Sequence, residues 1–219
     1  MCFSTEASFI SGAVLSIIGI ATIKKAQTPA QIIFAGIPLL FAVQQIAEGF
    51  IWLSFSNATF GPWHQFYTYL FLLFAQVIWP TWVPLSIFLL EKDRKSAKPL
   101  QILLLIGILL SIILAFRLST ETITSAIVEH HIKYTFNNKN YFYHFTGIFY
   151  VLVSVFPPFF SQFKKMSLLG WLISISFGIT VLFYGAYIIS VWCFFSALMS
   201  VAVYSILLHI VDSIKKKIS

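Results

Sequence analysis

The sequence predicts an all-α integral membrane protein, a bundle of seven transmembrane helices that forms one domain over residues 1–219. Of the 219 residues, 59% are hydrophobic and 10% are charged, whereas soluble domains carry about 25% charged residues. The mean hydropathy is +0.90. Seven apolar runs are each close to the ~20 residues that cross a bilayer, and the basic residues cluster between alternate runs. These observations together predict a multi-pass membrane protein.

The seven runs follow one another with short connections, except for a long loop at 118–142. The first run has no Lys or Arg before it and is followed by Lys24 and Lys25, which is typical of an uncleaved first span rather than a secretory signal. The predicted spans are residues 5–23, 32–55, 66–90, 99–116, 143–163, 167–187 and 190–210.

The distribution of basic residues predicts the orientation of the bundle, because short cytoplasmic loops carry the excess of Lys and Arg. Seven spans place eleven of the fourteen basic residues on one side, which makes the N-terminus external and the C-terminus cytoplasmic, with the protein in the inner (plasma) membrane. The net charge of +7 is therefore interpreted as a topology signal and a contact with the lipid bilayer, and nucleic acid is not expected as a partner. The eleven are Lys24, Lys25, Lys92, Arg94, Lys95, Lys98, Lys164, Lys165, Lys215, Lys216 and Lys217.

The order of the helices allows an internal repeat. Helices one and five run in the same direction, so helices one to three and five to seven would form two parallel units joined by helix four, a 3+1+3 arrangement found in some transporters. Sequence similarity between the halves is slight: both first helices end in Lys-Lys, and each second helix has a Gly near its start, Gly36 and Gly170. The sequence is also compatible with a seven-helix bundle that has no internal repeat.

The long loop contains TITSAIVEHHIKYTF, which predicts a short amphipathic helix on the outer surface. Ile123, Ile127, His130 and Tyr134 share one helical face. Such a helix would cover whatever lies between the transmembrane helices.

Helix two carries an unusual polar stripe in FAVQQIAEGFIWL, residues 41–53. Glu48 is predicted roughly 10 Å below the outer surface at 1.5 Å per residue, where a lone ionised carboxylate costs several kcal/mol. It should therefore face other helices and be protonated, partnered or hydrated. Two interpretations stay open: hydrogen bonds that join helices, or a ligand site. The predicted site residues are Glu48, Gln44, Gln45, Trp52 and, in the middle of helix three, Gln76.

A metal site is the alternative that the histidines and cysteines suggest. The candidates are His64, His144, Cys2 and Cys193, since His and Cys are common metal ligands. No pair has the spacing of a known zinc motif, so histidines at helix ends without a metal are the simpler interpretation. No cofactor can be named from the sequence.

Several short sequence segments in and just before the first two helices resemble those of a known family. The family consists of bacterial multi-spanning membrane proteins without an assigned function. The resemblance implies the same membrane architecture and supplies no activity or substrate. The segments are Met1-Cys2-Phe3-Ser4, Ala7-Ser8-Phe9, Ile37-Pro38-Leu39-Leu40-Phe41, Gln44-Gln45 and Glu48-Gly49.

The sequence thus predicts a protein that binds a small solute or ion in a polar pocket of the outer half, for transport ahead of sensing. Glu48 would carry the charge or proton, the glutamines would orient the ligand, and Trp52 would form a wall. The alternative is an intramembrane metal-dependent enzyme that uses Glu48 with outer-side His and Cys residues. A protein that only transports or senses a solute would not be an enzyme. The sequence leaves the oligomeric state open.

Overall fold

The chain forms ten α-helices and one antiparallel hairpin in the residues that the computed structural model describes, which are 4–128, 130–137 and 142–218. Side-chain caps mark three helix starts, because Ser4, Thr28 and Asp93 each accept a hydrogen bond from a backbone N–H three residues later. The helices are α1 Thr5–Ile23, α2 Pro29–Ala35, α3 Ile37–Ser56, α4 His64–Leu72, α5 Trp79–Phe88, α6 Arg94–Thr120, α7 Phe142–Val155, α8 Met166–Tyr184, α9 Ile188–Phe194 and α10 Ser196–Ile218. The strands are β1 Ile123–Val128 and β2 His131–Phe136.

Five segments of the described chain are helical, apolar and long enough to cross a membrane. Two shorter apolar helices, Thr146–Val155 and Leu198–Ser213, overlap the remaining two predicted spans. The predicted membrane class is therefore supported by five long helices. The five are Thr5–Ile23, Pro29–Ser56, Gly61–Phe88, Lys95–Thr120 and Met166–Tyr184.

The loop after α6 is a β-hairpin, so the predicted amphipathic helix is wrong. β1 and β2 pair antiparallel from Ile123 opposite Phe136 to Val128 opposite His131. The segment is rich in the β-branched residues Ile, Thr and Val, which favour strands. Ile132, Tyr134 and Phe136 also alternate with the exposed Lys133 and Thr135, so a two-residue period fits as well as the helical one.

The hairpin covers one end of the bundle, called here the hairpin end, and side chains of α4 hold it there. His64 contacts Ser54 of α3 through Nδ1 at 2.7 Å and Ser125 of β1 through Nε2 at 2.8 Å. Gln65 donates to the Ile123 carbonyl at 2.8 Å. On the other strand, the His131 ring stacks on Tyr187 at 4.6 Å between centroids. The hairpin is thus attached to early and late parts of the chain.

Glycines set the closest helix contacts. A methyl group at Gly12 of α1 would lie 2.7 Å from Ile46 of α3. The tightest position is Gly107 of α6, where a Cβ would lie 2.1 Å from the carbonyl oxygen of Pro80. Pro84 has no N–H to bond that oxygen across one helical turn, so the Pro80 carbonyl is exposed to the backbone of α6. Small residues at such contacts let helices in membranes approach closely.

The opposite end of the bundle, called the far end, is closed by Glu91 in the turn after α5. Its carboxylate accepts a hydrogen bond from Ser161 Oγ at 2.5 Å and from the Gln162 backbone N–H at 3.1 Å. Ser161 follows the 3₁₀ turn Pro157–Phe160. Glu91 therefore joins the turn between α5 and α6 to the segment before α8.

This contact predicts a pH dependence of stability. Burial raises the pKa of Glu91 from its ordinary 4.5, Asp93 adds to the rise, and the Ser161 and Gln162 hydrogen bonds oppose it. The folded state then holds the proton at pH values where the unfolded state has lost it. Stability from this group is present below pH 4.5 and is lost as the pH rises through the folded pKa.

We expect the unfolding temperature of the wild type to fall across this window relative to Glu91→Gln, which cannot ionise. Thermal unfolding in detergent between pH 4 and 8 checks this. The two proteins should be most alike at the acidic end, since glutamine resembles the neutral acid. Parallel curves over the whole range would contradict the prediction.

Candidate functional site

The polar stripe of α3 is buried, as its pattern predicts. Gln44 and Glu48 have no exposed surface, and Gln45 and Trp52 are 1% and 8% exposed. The helix α3 begins with Pro38 in its first turn, where a missing N–H costs nothing. The stripe does not, however, face a single pocket, because its side chains contact different elements.

Glu48 joins α3 to α9. Ser190 Oγ donates a hydrogen bond to Glu48 Oε1 at 2.6 Å, and Gln45 Nε2 approaches Glu48 Oε2 at 3.4 Å. Ser190 is fully buried, like Glu48. Both groups are removed from water, where a hydrogen bond left unmade costs about 1–3 kcal/mol, so this contact fixes α9 against the second half of α3.

Gln44 belongs to a different environment, formed with α5. Its Oε1 accepts a hydrogen bond from Trp79 Nε1 at 2.7 Å. The Trp79 ring in turn stacks on Phe41 at 4.1 Å between centroids, with 29° between the planes. The amide therefore holds a pair of aromatic rings in place.

Gln76 lies in a π-helical turn, Leu73–Ile78, between α4 and α5. The Trp79 N–H bonds the Phe74 carbonyl across the wider turn, directly before Pro80, which has no N–H to donate. Such turns leave carbonyls for other partners. Here Tyr150 of α7 donates to the Ala75 carbonyl at 2.5 Å.

Between these helices lies a cavity of about 630 Å³. Its walls come from α3, the π turn, α5, α6, β2 and α7–α10, and most of the lining side chains are aliphatic or aromatic. Gln44 and Gln76 line it, whereas Gln45, Glu48 and Trp52 are not among the described lining residues. The predicted site residues are thus divided, and two of the five contact the cavity.

The cavity extends along most of the bundle. At the hairpin end it is lined by Arg117 and Phe136, and at the far end by Ile87 and Phe156. Arg117 forms a two-pronged ion pair with Glu121, at 3.0 Å and 3.1 Å. The charge of the guanidinium in the cavity lining is therefore largely balanced.

The structure gives the metal candidates little support. Both ring nitrogens of His64 already contact serine hydroxyls, so a metal would have to displace one of them. Cys2 and the side chains of His144 and Cys193 lie outside the described residues. Within the part of the chain that is described, no three His, Cys, Asp or Glu side chains are close enough to hold an ion.

Sequence reasoning missed two side chains at these sites. Ser190 is an ordinary serine in an apolar run, and Tyr150 is one of nine tyrosines. No pattern distinguishes them, because each gains its role from a helix far away in sequence.

Comparison with known families gives one match. A profile described as Family of unknown function (DUF6629) matches residues 1–216. No curated protein and no solved structure matches the chain. The predicted resemblance to an uncharacterised family is thereby confirmed.

Proposed function

The chain belongs to the Family of unknown function (DUF6629), and from the cavity in its bundle we propose that it is a membrane protein that binds a small molecule between its helices and carries it through the membrane. We retain seven crossings, with the N-terminus outside and the C-terminus in the cytoplasm. The five long apolar helices and the two shorter ones support this number. The segregation of lysines and arginines supports the orientation and the inner membrane.

The cavity is the observation that carries the proposal. Its volume of about 630 Å³ lies within the range of roughly 300–1,000 Å³ of pockets for small ligands. The lining runs from Arg117 near the hairpin end to Ile87 near the far end, so a bound molecule would sit along the path between the two membrane surfaces. This extent favours passage over binding at one surface.

For Glu48 we propose a role that differs from the one expected from the sequence. Its hydrogen bond from Ser190 fixes α9, and α9 contributes Ile188, Ile189 and Trp192 to the cavity wall. We propose that Glu48 positions this wall and does not itself contact the ligand.

Gly147 of α7 gives a direct test, because it lines the cavity and a Cβ there meets nothing within 4 Å. Gly147→Phe should fill the opening without a backbone collision. We expect the purified wild type to retain small molecules from the membrane that native mass spectrometry detects as added mass, and Gly147→Phe to lose at least about 90% of this signal, a tenfold drop.

Gly178→Phe is the matched control. A Cβ at Gly178 of α8 also meets open space, and Gly178 is not among the described lining residues. This variant should retain the added mass. Equal retention by all three proteins would show that the molecules bind elsewhere. A wild-type protein that shows no added mass after incubation with a total membrane extract would also count against the proposal.

A further inference from the structure

Most of the hydrogen-bonding groups in the cavity wall have partners within the protein, and Gln76 is the lining amide for which none is described. Trp79 donates to Gln44, Tyr150 donates to the Ala75 carbonyl, and Trp192 Nε1 donates to Ser176 Oγ at 3.2 Å. A polar solute that entered would give up its bonds to water and find few groups to replace them. The wall therefore disfavours ions and sugars.

The same side chains present aromatic surface on two sides of the cavity. Phe41 and Trp79 stack on the side of α3 and α5. Trp192 packs against Phe177 at 5.1 Å and Tyr150 at 6.0 Å between centroids on the side of α7–α9. Rings held at fixed angles favour an apolar, partly planar body between them.

Ser154 of α7, like Ser8 and Ser11 of α1, is an exception among the hydroxyls of the helices. Ser16, Ser174 and Thr180 each donate to the carbonyl four residues earlier at 2.8 Å, which is how such hydroxyls are usually satisfied in apolar surroundings. Ser154 is 5% exposed, and its Oγ has no hydrogen-bond partner among the described residues. The residue lines the cavity, and a rotation of its side chain about χ1 would let the buried Oγ reach a molecule there.

Ser154 also stands at a defined level of the cavity. It lies one helical turn, about 6 Å, beyond Tyr150 towards the far end, where the other wall residues include the apolar Leu169 and Ile173 of α8. A single hydroxyl in this surrounding recognises one polar atom of a ligand whose remaining parts are apolar.

Resting on the proposed function, we propose that the carried molecule is a neutral lipophilic compound with a hydrogen-bonding oxygen, such as a ketone, quinone or alcohol. Its oxygen accepts a hydrogen bond from Ser154, and its apolar body lies between the Phe41–Trp79 pair and the Trp192 cluster.

A naphthyl ketone whose emission shifts to the red when its carbonyl accepts a hydrogen bond tests this ligand class. We expect the wild-type protein in nanodiscs to bind the ketone, with binding measured by fluorescence energy transfer from tryptophan to the probe. Ser154→Ala should bind it about 3- to 10-fold more weakly, as the loss of one hydrogen bond implies. The emission of the fraction still bound should shift to the blue. A carbonyl-free naphthalene analogue should bind the two proteins equally.

Ser8→Ala is the matched control, because Ser8 is fully buried, its Oγ also lacks a partner among the described residues, and it does not belong to the described lining. Neither alanine variant should lower the unfolding temperature, since each removes a hydroxyl without a partner. Equal affinity and colour in wild type and Ser154→Ala would overturn the role of Ser154.

A parallel titration with glucose and glycine betaine separates the two proposals. If either polar solute bound with a dependence on Gly147→Phe and the ketone did not, the ligand class would be wrong and the proposed function would stand. If none of the probes bound, and no membrane molecule was retained, both proposals would fail.

Discussion

Gly107→Ala should destabilise the protein by about 2 kcal/mol or more, the cost of overpacking a close contact. The added methyl group would lie 2.1 Å from the Pro80 carbonyl oxygen. A flexible side chain could rotate away, but this oxygen belongs to the backbone of α5, so one of the two helices has to move. Ser111, one turn along α6, contacts Thr81 at 2.8 Å and the Val77 carbonyl at 2.6 Å. These hydrogen bonds would be strained by the same displacement.

Thermal unfolding and a denaturing-detergent titration of purified protein measure the effect. Gly178→Ala is the control, because its Cβ meets open space and alanine stabilises a helix by about 0.5–1 kcal/mol over glycine. The two variants should therefore change stability in opposite directions. A Gly107→Ala protein as stable as the wild type would mean that α5 and α6 are not packed as described.

Glu48→Ala should cost about 2–4 kcal/mol, from the cavity that it leaves and from the hydroxyl of Ser190 that loses its acceptor. Glu48→Gln should cost much less, because its amide oxygen can still accept from Ser190. The ratio of the two losses, measured by unfolding in detergent, reports whether the side chain acts as a hydrogen-bond acceptor or as a charge.

Glu6→Gln, at an exposed position in the first turn of α1, controls for loss of a carboxylate and should change stability only slightly. A second measurement is binding of the naphthyl ketone. Glu48→Gln should leave it within about twofold of the wild type, since Glu48 is not among the described lining residues. A large loss of stability in Glu48→Gln, equal to that of Glu48→Ala, would favour a role that requires the charge.

The sequence predicts the helices well where length and hydropathy decide the outcome. Apolar runs over 5–23 and 167–187 become α1 and α8 with small changes at their ends. The run at 143–163 fails at its second half, because α7 ends at Val155 before Pro157 and Pro158, which cannot continue a helix. Run length alone is insensitive to such breaks.

The hairpin shows a different limit. Its residues fit both a helical stripe and a strand alternation, and the choice depends on Gln65 and His64, more than fifty residues earlier. The site has the same limit. The stripe predicts that Glu48 is buried, but Ser190 is 142 residues away, and the cavity exists only where α7 and α9 pack against α3 and α5.

The distance along the chain between Glu48 and Ser190 also affects when their hydrogen bond can form during synthesis. At synthesis rates of about 5–20 residues per second, Ser190 emerges roughly 7–30 s after Glu48. Throughout this interval α3 already contains a carboxyl group, while α9 does not yet exist. Gln45, three residues away on the same helix, is the one of its two hydrogen-bonding neighbours described above that is present from the start. Gln45 can therefore hydrogen-bond to the carboxyl group of Glu48 during membrane insertion, and Ser190 adds its hydrogen bond after α9 has packed against α3.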